Sequence, residues 1–322
     1  MKTSSRSILA LLLASIAVIP ISAAAAWPEK SIRVIIPWSP GGSTDVVGRL
    51  VAAELTRRLK QQVIIDNRSG AGGIVGMQLT AQQPPDGYTF LLTSTGYGYL
   101  IYKSSPPIDL VKSFAPVALL GFGDSALVVH PSLPVNSVKA LIALAKAKPG
   151  ALNYSSSGIG GFPHMNTELF KLKTGIDIVH VPFQGGGPAV ADVAAGNTQI
   201  HLGSLTSEMA QIRAGRLKIL ATGGKKRNPN FPDVPTIAEA GVPDYQSSIW
   251  WGVFAPRGTP APIIARMHDE IAAVLESPDI VKKLELQGAV PEKMSSAEFG
   301  KLMEEETAKW IEVIKAAGIK GD

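Results

Sequence analysis

What most constrains this chain is an alternation, sustained along most of its length, of short β-branched runs with segments whose apolar residues recur at helical spacing. That alternation builds sheets, largely parallel, covered by helices: the α/β class. Ile32 to Ile36 reads as a first strand stopped by Pro37, and Val46, Val47, Leu50, Val51, Leu55 and Leu59 mark the helix after it. Strand Val63 to Ile65, the glycine-rich stretch Gly70 to Gly73, a helix to about Gln83, the turn Asp86-Gly87 and strand Thr89 to Leu92 complete a βαβαβ half. A second half starts at Ala126 to Val129. Its helix is capped by Ser137, and strands follow at Leu152–Tyr154, Ile178–Val181, Gln199–Leu202 and Leu217–Ala221. After the apolar run Ser248 to Phe254 come only helices, the last opened by a capping box at Ser295 and Glu298. Having no sheet of their own, they should pack back on the first half. The expectation is two lobes, each a doubly wound, mostly parallel sheet, with a ligand cleft between them. Lobe 1 takes residues 27–125 plus 248–322 and lobe 2 residues 126–247, so the chain crosses twice, near 122–130 and 243–252, and makes a hinge.

Composition narrows the setting. With 45% apolar and 18% charged residues the chain can bury ordinary cores, and with no Cys it has no disulfides, thiolate metal sites or Cys nucleophile. Lys2 and Arg6 precede an apolar run from Ile8 to Ile19 and a small-residue stretch from Ser22 to Ala26, which predicts a signal peptide over 1–26 cut after Ala26. The run is too short to span a bilayer and is interrupted by Pro20. A free, soluble, monomeric protein of the periplasm is expected. Removing Lys2 and Arg6 lowers the formal charge from +5 to +3. The densest basic cluster, Lys225-Lys226-Arg227, reads as a solvated loop, so no nucleic-acid partner is expected.

Two loops carry the functional argument. Pro37-Trp38-Ser39-Pro40-Gly41-Gly42-Ser43-Thr44-Asp45 lies between the first strand and first helix, at the strand edge where open α/β sheets bind ligands. Glycine admits a ligand to the backbone, Ser43 and Thr44 add hydroxyls, and free N–H groups at the helix start favour an anion; an ordinary tight turn is the competing account. Ser155-Ser156-Ser157-Gly158-Ile159-Gly160-Gly161 repeats the arrangement in the second lobe. Phe183, Gln184 and Gly185, opening a Gly185-Gly186-Gly187 run, offer a third wall, and Ser94 to Tyr99, with Thr95 and Tyr97, a fourth. Trp38, Tyr97 and Phe183 could cover an apolar ligand body, whereas Trp250 and Trp251 read as core. Asp45 would repel a carboxylate and reads as a helix cap or a partner for an ammonium. His164 opens the helix after the second loop and either faces the cleft or is structural.

Catalytic signatures are sparse. There is no G-x-S-x-G elbow, no phosphate loop, no metal-ligand spacing among the five His and no dinucleotide fingerprint, so neither cofactor nor metal is expected. An exported hydrolase using Ser157 and His164 stays open as an alternative, as does a binding protein that signals to a membrane sensor ectodomain.

Pro40-Gly41-Gly42-Ser43-Thr44-Asp45, Asp66-Asn67-Arg68-Ser69-Gly70-Ala71-Gly72-Gly73, Pro85-Asp86-Gly87-Tyr88-Thr89, Val179-His180-Val181-Pro182-Phe183-Gln184-Gly185-Gly186, Asp233-Val234-Pro235-Thr236 and Ala255-Pro256-Arg257-Gly258-Thr259-Pro260 follow one another in order. In these motifs the chain resembles the tripartite tricarboxylate transporter receptors, the Bug-type periplasmic binding proteins. The resemblance implies a type II periplasmic binding protein fold, no catalysis, a small carboxylate held between the lobes, and permease subunits as partners. By position it puts carboxylate loops at Pro40 to Asp45 and at Ser156 to Gly161 (Ser156, Ser157, Gly158, Gly160, Gly161), with Phe183, Gln184 and Gly185 nearby. Leu202-Gly203-Ser204 stands where many members have Phe-Asp, and Phe183-Gln184 where many have Tyr-Lys. Losing that acid and that base favours a mono- or dicarboxylate, aromatic acids included, over an amino acid.

Overall fold

In the computed structural model, which describes residues 27–96 and 108–319, the alternation is realised with boundaries shifted by a few residues. The first unit is β1 (Ile32–Ile36), α1 (Ser43–Leu59), β2 (Val63–Asn67), a 3-10 turn at Ala71–Gly73, α2 (Ile74–Ala81) and β3 (Thr89–Ser94). Next come α3 (Leu110–Ser113), β4 (Phe114–Val129), α4 (Val138–Ala147), β5 (Asn153–Ser156), α5 (Phe162–Thr174), β6 (Val179–Pro182), α6 (Gly186–Ala194), β7 (Ile200–Ser204), α7 (Leu205–Arg213) and β8 (Lys218–Thr222). The chain closes with β9 (Ser248–Pro256), α8 (Ala261–Leu275), α9 (Pro278–Leu286), β10 (Ala289–Val290) and α10 (Ser296–Ala317). The expected signal peptide and Tyr97 lie outside the described residues.

The strands follow one path, β2-β1-β3-β9-β4-β7-β5-β6, with β8 and β10 also paired to β4. Each lobe contains a parallel trio, β2-β1-β3 and β7-β5-β6. The strands that travel between lobes, β4 and β9, run antiparallel to their neighbours. A strand that returns without a crossover helix has no other way to pair. At 16 residues, β4 exceeds an ordinary strand and serves both sheets: Phe114 to Asp124 pair with β9, and Ser125 to Val129 with β7 and β8.

The two-residue period of β9 distributes its tryptophans to opposite faces. Trp251 and Val253 pack with Ile36, Phe90 and Met267 of α8, while Trp250 and Phe254 pack with Phe299 and Trp310 of α10. The C-terminal helices thus cover both faces of the first sheet. The second sheet has its own layers, one around Leu127, Tyr154, Phe170 and Tyr245, the other around Val128, Val193 and Met209. Helix starts read from sequence hold: Ser137 Oγ accepts from Ala140 N at 3.1 Å, and Ser295 with Glu298 forms a reciprocal capping box.

Candidate functional site

Where the C-terminal strand edges of the lobes face each other lies a partly open cavity whose space, counting what is open to solvent, is about 370 Å³. It is lined by Trp38, Gly42, Ser43, Thr44, Ser94, Thr95, Ser157, Phe162, Pro163, Gly186, Ser204, Ser207 and Ile249. Most of these residues sit at the first turns of four helices, α1, α5, α6 and α7. The N-caps, Gly42, Gly161, Gly185 and Ser204, make no side-chain capping bond. Uncapped starts also occur at α8 and α9, but the four at the cavity converge on one space. Each carries unpaired N–H groups and about half a positive charge.

The hydroxyls are held by a scaffold. Trp251 Nε1 donates to Ser43 Oγ at 3.3 Å, Thr44 Oγ1 to Ser94 Oγ at 3.0 Å, and Trp250 N to Thr95 Oγ1 at 3.0 Å. The β9 tryptophans are core, as expected, and also orient lining residues. Trp38 Nε1 and Ser204 Oγ are buried polar atoms without a partner among the described residues, and both residues line the cavity.

Among the described residues, no lining side chain is ionisable. Asp45 is buried, but Oδ2 accepts from Gly41 N at 3.1 Å and Arg49 Nε at 3.0 Å, and Oδ1 pairs with Arg49 Nη2 at 2.9 Å. Burial pushes its carboxyl up, and the bonds from Arg49, Gly41 and Asn67 outweigh that and hold it below the usual range. Asp45 therefore closes the first turn as a neutralised ion pair. Behind Ser204, fully buried Glu208 accepts from Gly203 N at 3.1 Å and lies 3.6 Å from His201 Nε2. Burial raises the Glu208 carboxyl well above its ordinary range and depresses His201 to about 4, so the pair is neutral.

Of the residues expected at the site, Trp38, Gly42, Ser43, Thr44, Ser94, Thr95, Ser157, Gly186 and Ser204 line the cavity. Others form the seam where the lobes touch. Ser39 N and Oγ both donate to Gln184 O, at 3.1 and 2.7 Å, and Gly185 packs on Ser39. Gly187 packs on Pro40 and Gly41, Gly158 approaches Gly72 and Phe183 O, and Gly161 bridges to Gly96. The Gln184 side chain is exposed, and Phe183 is half-buried with its N bonded to Ser156 O at 2.9 Å. Ser156 is fully buried, with its hydroxyl 2.5 Å from His180 Nε2. His164 and Gly160 do not line the cavity, and the imidazole Nδ1 accepts from Gly160 N at 3.0 Å. Sequence reasoning missed Phe162, Pro163, Ser207 and Ile249. Ile249 had no local signal.

Residues 47–319 match the model of the tripartite tricarboxylate transporter family receptor. BugT of Bordetella pertussis is 36% identical over 297 residues, 91% of this chain and 91% of that protein. Among solved structures, R. palustris Rpa4515 with adipate is 37% identical with a TM-score of 0.88, covering 91% of this chain and 99% of the other. MatC from Rhodopseudomonas palustris with bound malate is 29% identical with a TM-score of 0.84, covering 89% and 99%. The match runs from within the first helix to just past the last and is nearly complete on both sides, which makes this chain a Bug-type member of the tripartite tricarboxylate transporter receptor family.

Proposed function

We propose that this protein is a periplasmic receptor that closes lobe 1 (27–125 plus 248–322) and lobe 2 (126–247) over a small mono- or dicarboxylate. It delivers the acid to the membrane subunits of a tripartite tricarboxylate-type uptake system, as a monomer exported through residues 1–26 and without catalysing a reaction. The observation that carries this reading is the convergence of four uncapped helix starts on a cavity that, among the described residues, has no ionisable lining side chain. An anion there gains about 0.3–1 kcal/mol from each helix end, together with hydroxyl and backbone donors. An ammonium meets four positive dipole ends and, among the described residues, no free carboxylate, because Asp45 is engaged by Arg49. The relatives solved with adipate and malate support the carboxylate class. The separate apolar layers of the two sheets support the lobe division.

The test is a thermal-shift and calorimetric comparison of acids matched in skeleton: succinate and malate against aspartate, adipate against 2-aminoadipate, and benzoate as an aromatic acid. A carboxylate at about 100 times its Kd stabilises the protein by about 2.7 kcal/mol. Binding of succinate, malate or adipate with rejection of the amino acids is the expected result; tighter binding of aspartate than of succinate would overturn it. Loss of uptake of the bound acid in a deletion strain checks the delivery step.

A further inference from the structure

Next to the second hydroxyl loop, and not lining the cavity, three rings form a stack: Tyr154 of β5, His180 of β6 and His164 of α5. Their centroids are 4.9 and 4.2 Å apart, and both interplanar angles are 16°. Each imidazole holds a different point of the loop between β5 and α5. His180 Nε2 lies 2.5 Å from Ser156 Oγ, and that oxygen accepts from Gly158 N at 3.1 Å. His164 Nδ1 accepts directly from Gly160 N at 3.0 Å. The far end of the stack is anchored as well, since Tyr154 Oη donates to Glu168 Oε1 at 2.7 Å and Lys171 Nζ reaches the same oxygen at 2.8 Å.

The loop needs such holding. Gly158 and Gly160 adopt φ of 116° and 73°, where only glycine is comfortable, and a glycine-rich segment loses more backbone freedom on ordering than any other. Ser157 and the first turn of α5, which line the cavity, flank these glycines. Left to itself the loop would sample many shapes, and a ligand would have to order it on binding.

We infer that His164 and His180 are positioning residues that fix the Ser156–Gly161 loop in its ligand-receiving shape, His164 by accepting from the Gly160 amide and His180 through the Ser156 hydroxyl. Neither touches the ligand. The effect on affinity rests on the carboxylate reading given above; the effect on the loop does not.

Amide exchange resolved by NMR, with calorimetry against adipate and malate, tests this. His164→Phe preserves a ring on His180 and removes the acceptor: Gly160 N–H should exchange about 2- to 12-fold faster, the equivalent of one lost hydrogen bond, and affinity should fall by a similar factor. His164→Asn returns an acceptor near the Nδ1 position and should bring both back to within about threefold of the wild type. His180→Phe supplies an independent arm, in which Gly158 N–H, not Gly160 N–H, loses protection. Unchanged Gly160 exchange in His164→Phe, or identical behaviour of the Phe and Asn variants, overturns the inference. Wild-type protein that binds neither acid would defeat the ligand reading instead, and the exchange rates would still decide the positioning role.

Discussion

Gly42→Val offers a direct test of closure, because Gly42 belongs at once to the cavity wall and to the seam between lobes. Its φ of −76° and ψ of 168° lie in the extended region, open to valine. A Cβ at this position would lie 3.5 Å from Gly186 N, 3.6 Å from Gly187 N and 3.7 Å from Gly186 Cα, ordinary contact that alanine satisfies. The valine methyls reach about 1.5 Å further, into the backbone of α6 or into the anion space. Either way the lobes cannot meet as they do now. Both bonds from Ser39 to Gln184 O are then lost, at about 0.5–1.5 kcal/mol each. Together they amount to about 1–3 kcal/mol, or about 5- to 150-fold in Kd. Folding of lobe 1 should change by no more than the low end of that range: a poorer N-cap costs about 1 kcal/mol, about 2–4 °C in melting temperature. Calorimetry with the best-bound acid, a melt of the ligand-free protein and small-angle scattering for lobe opening measure the three quantities. Gly42→Ala should bind within about threefold of the wild type apart from any capping loss. Wild-type affinity in a folded Gly42→Val variant would refute the closure geometry. Gly158→Val is a poorer test, since φ at Gly158 is 116° and the substitution strains the chain whatever the ligand does.

Ser39→Ala removes the 2.7 Å hydroxyl bond to Gln184 O and leaves the backbone bond in place, so affinity should fall about 2- to 12-fold with an unchanged melting temperature of the ligand-free protein, read by calorimetry and calorimetric melts. Glu208→Gln should become increasingly stabilising as pH rises. The buried acid stays protonated when folded and ionises when unfolded above its ordinary value of 4.5, so the wild type loses about 1.4 kcal/mol per pH unit above that value until its raised pKa is reached; melts of both proteins from pH 5 to 8 check this, and a pH-independent difference would contradict it. The histidines act in the opposite sense. His180, held to about 3 by burial and by its His164 and Lys171 neighbours, and His201, held to about 4 by burial, bind protons only on unfolding, so their contribution is complete above about pH 6.5 and is lost as pH falls toward 3; acid melts of wild type and His201→Asn should diverge over that window. Gly252→Ala would drive a methyl into the Phe299 ring, whose Cε1 would lie 2.9 Å away, destabilising lobe 1 by about 1–3 kcal/mol while leaving the Kd of the folded protein unchanged.

Much of the architecture was legible in the amino-acid sequence because it is encoded locally. Hydrophobic period separates strand from helix, Ser137 and the Ser295–Glu298 pair mark helix starts, and glycine with serine after a strand marks a loop that can approach a ligand. The fold class, the first loop's Gly42, Ser43 and Thr44, and the second loop's Ser157 could be read for those reasons. Tertiary structure decided which loop residues face the cavity and which face each other. Gln184, Gly185, Pro40 and Gly41 became a seam, because how closely these loops approach depends on β4 and β9, which join the two parallel trios far away in sequence. It also turned Asp45 onto Arg49, placed His164 behind its loop, and brought Ser207 and Ile249 to the cavity wall. Period and turn chemistry report on neighbours a few residues away. The charge of a site and the closeness of two lobes are sums over residues that meet only when the chain has folded.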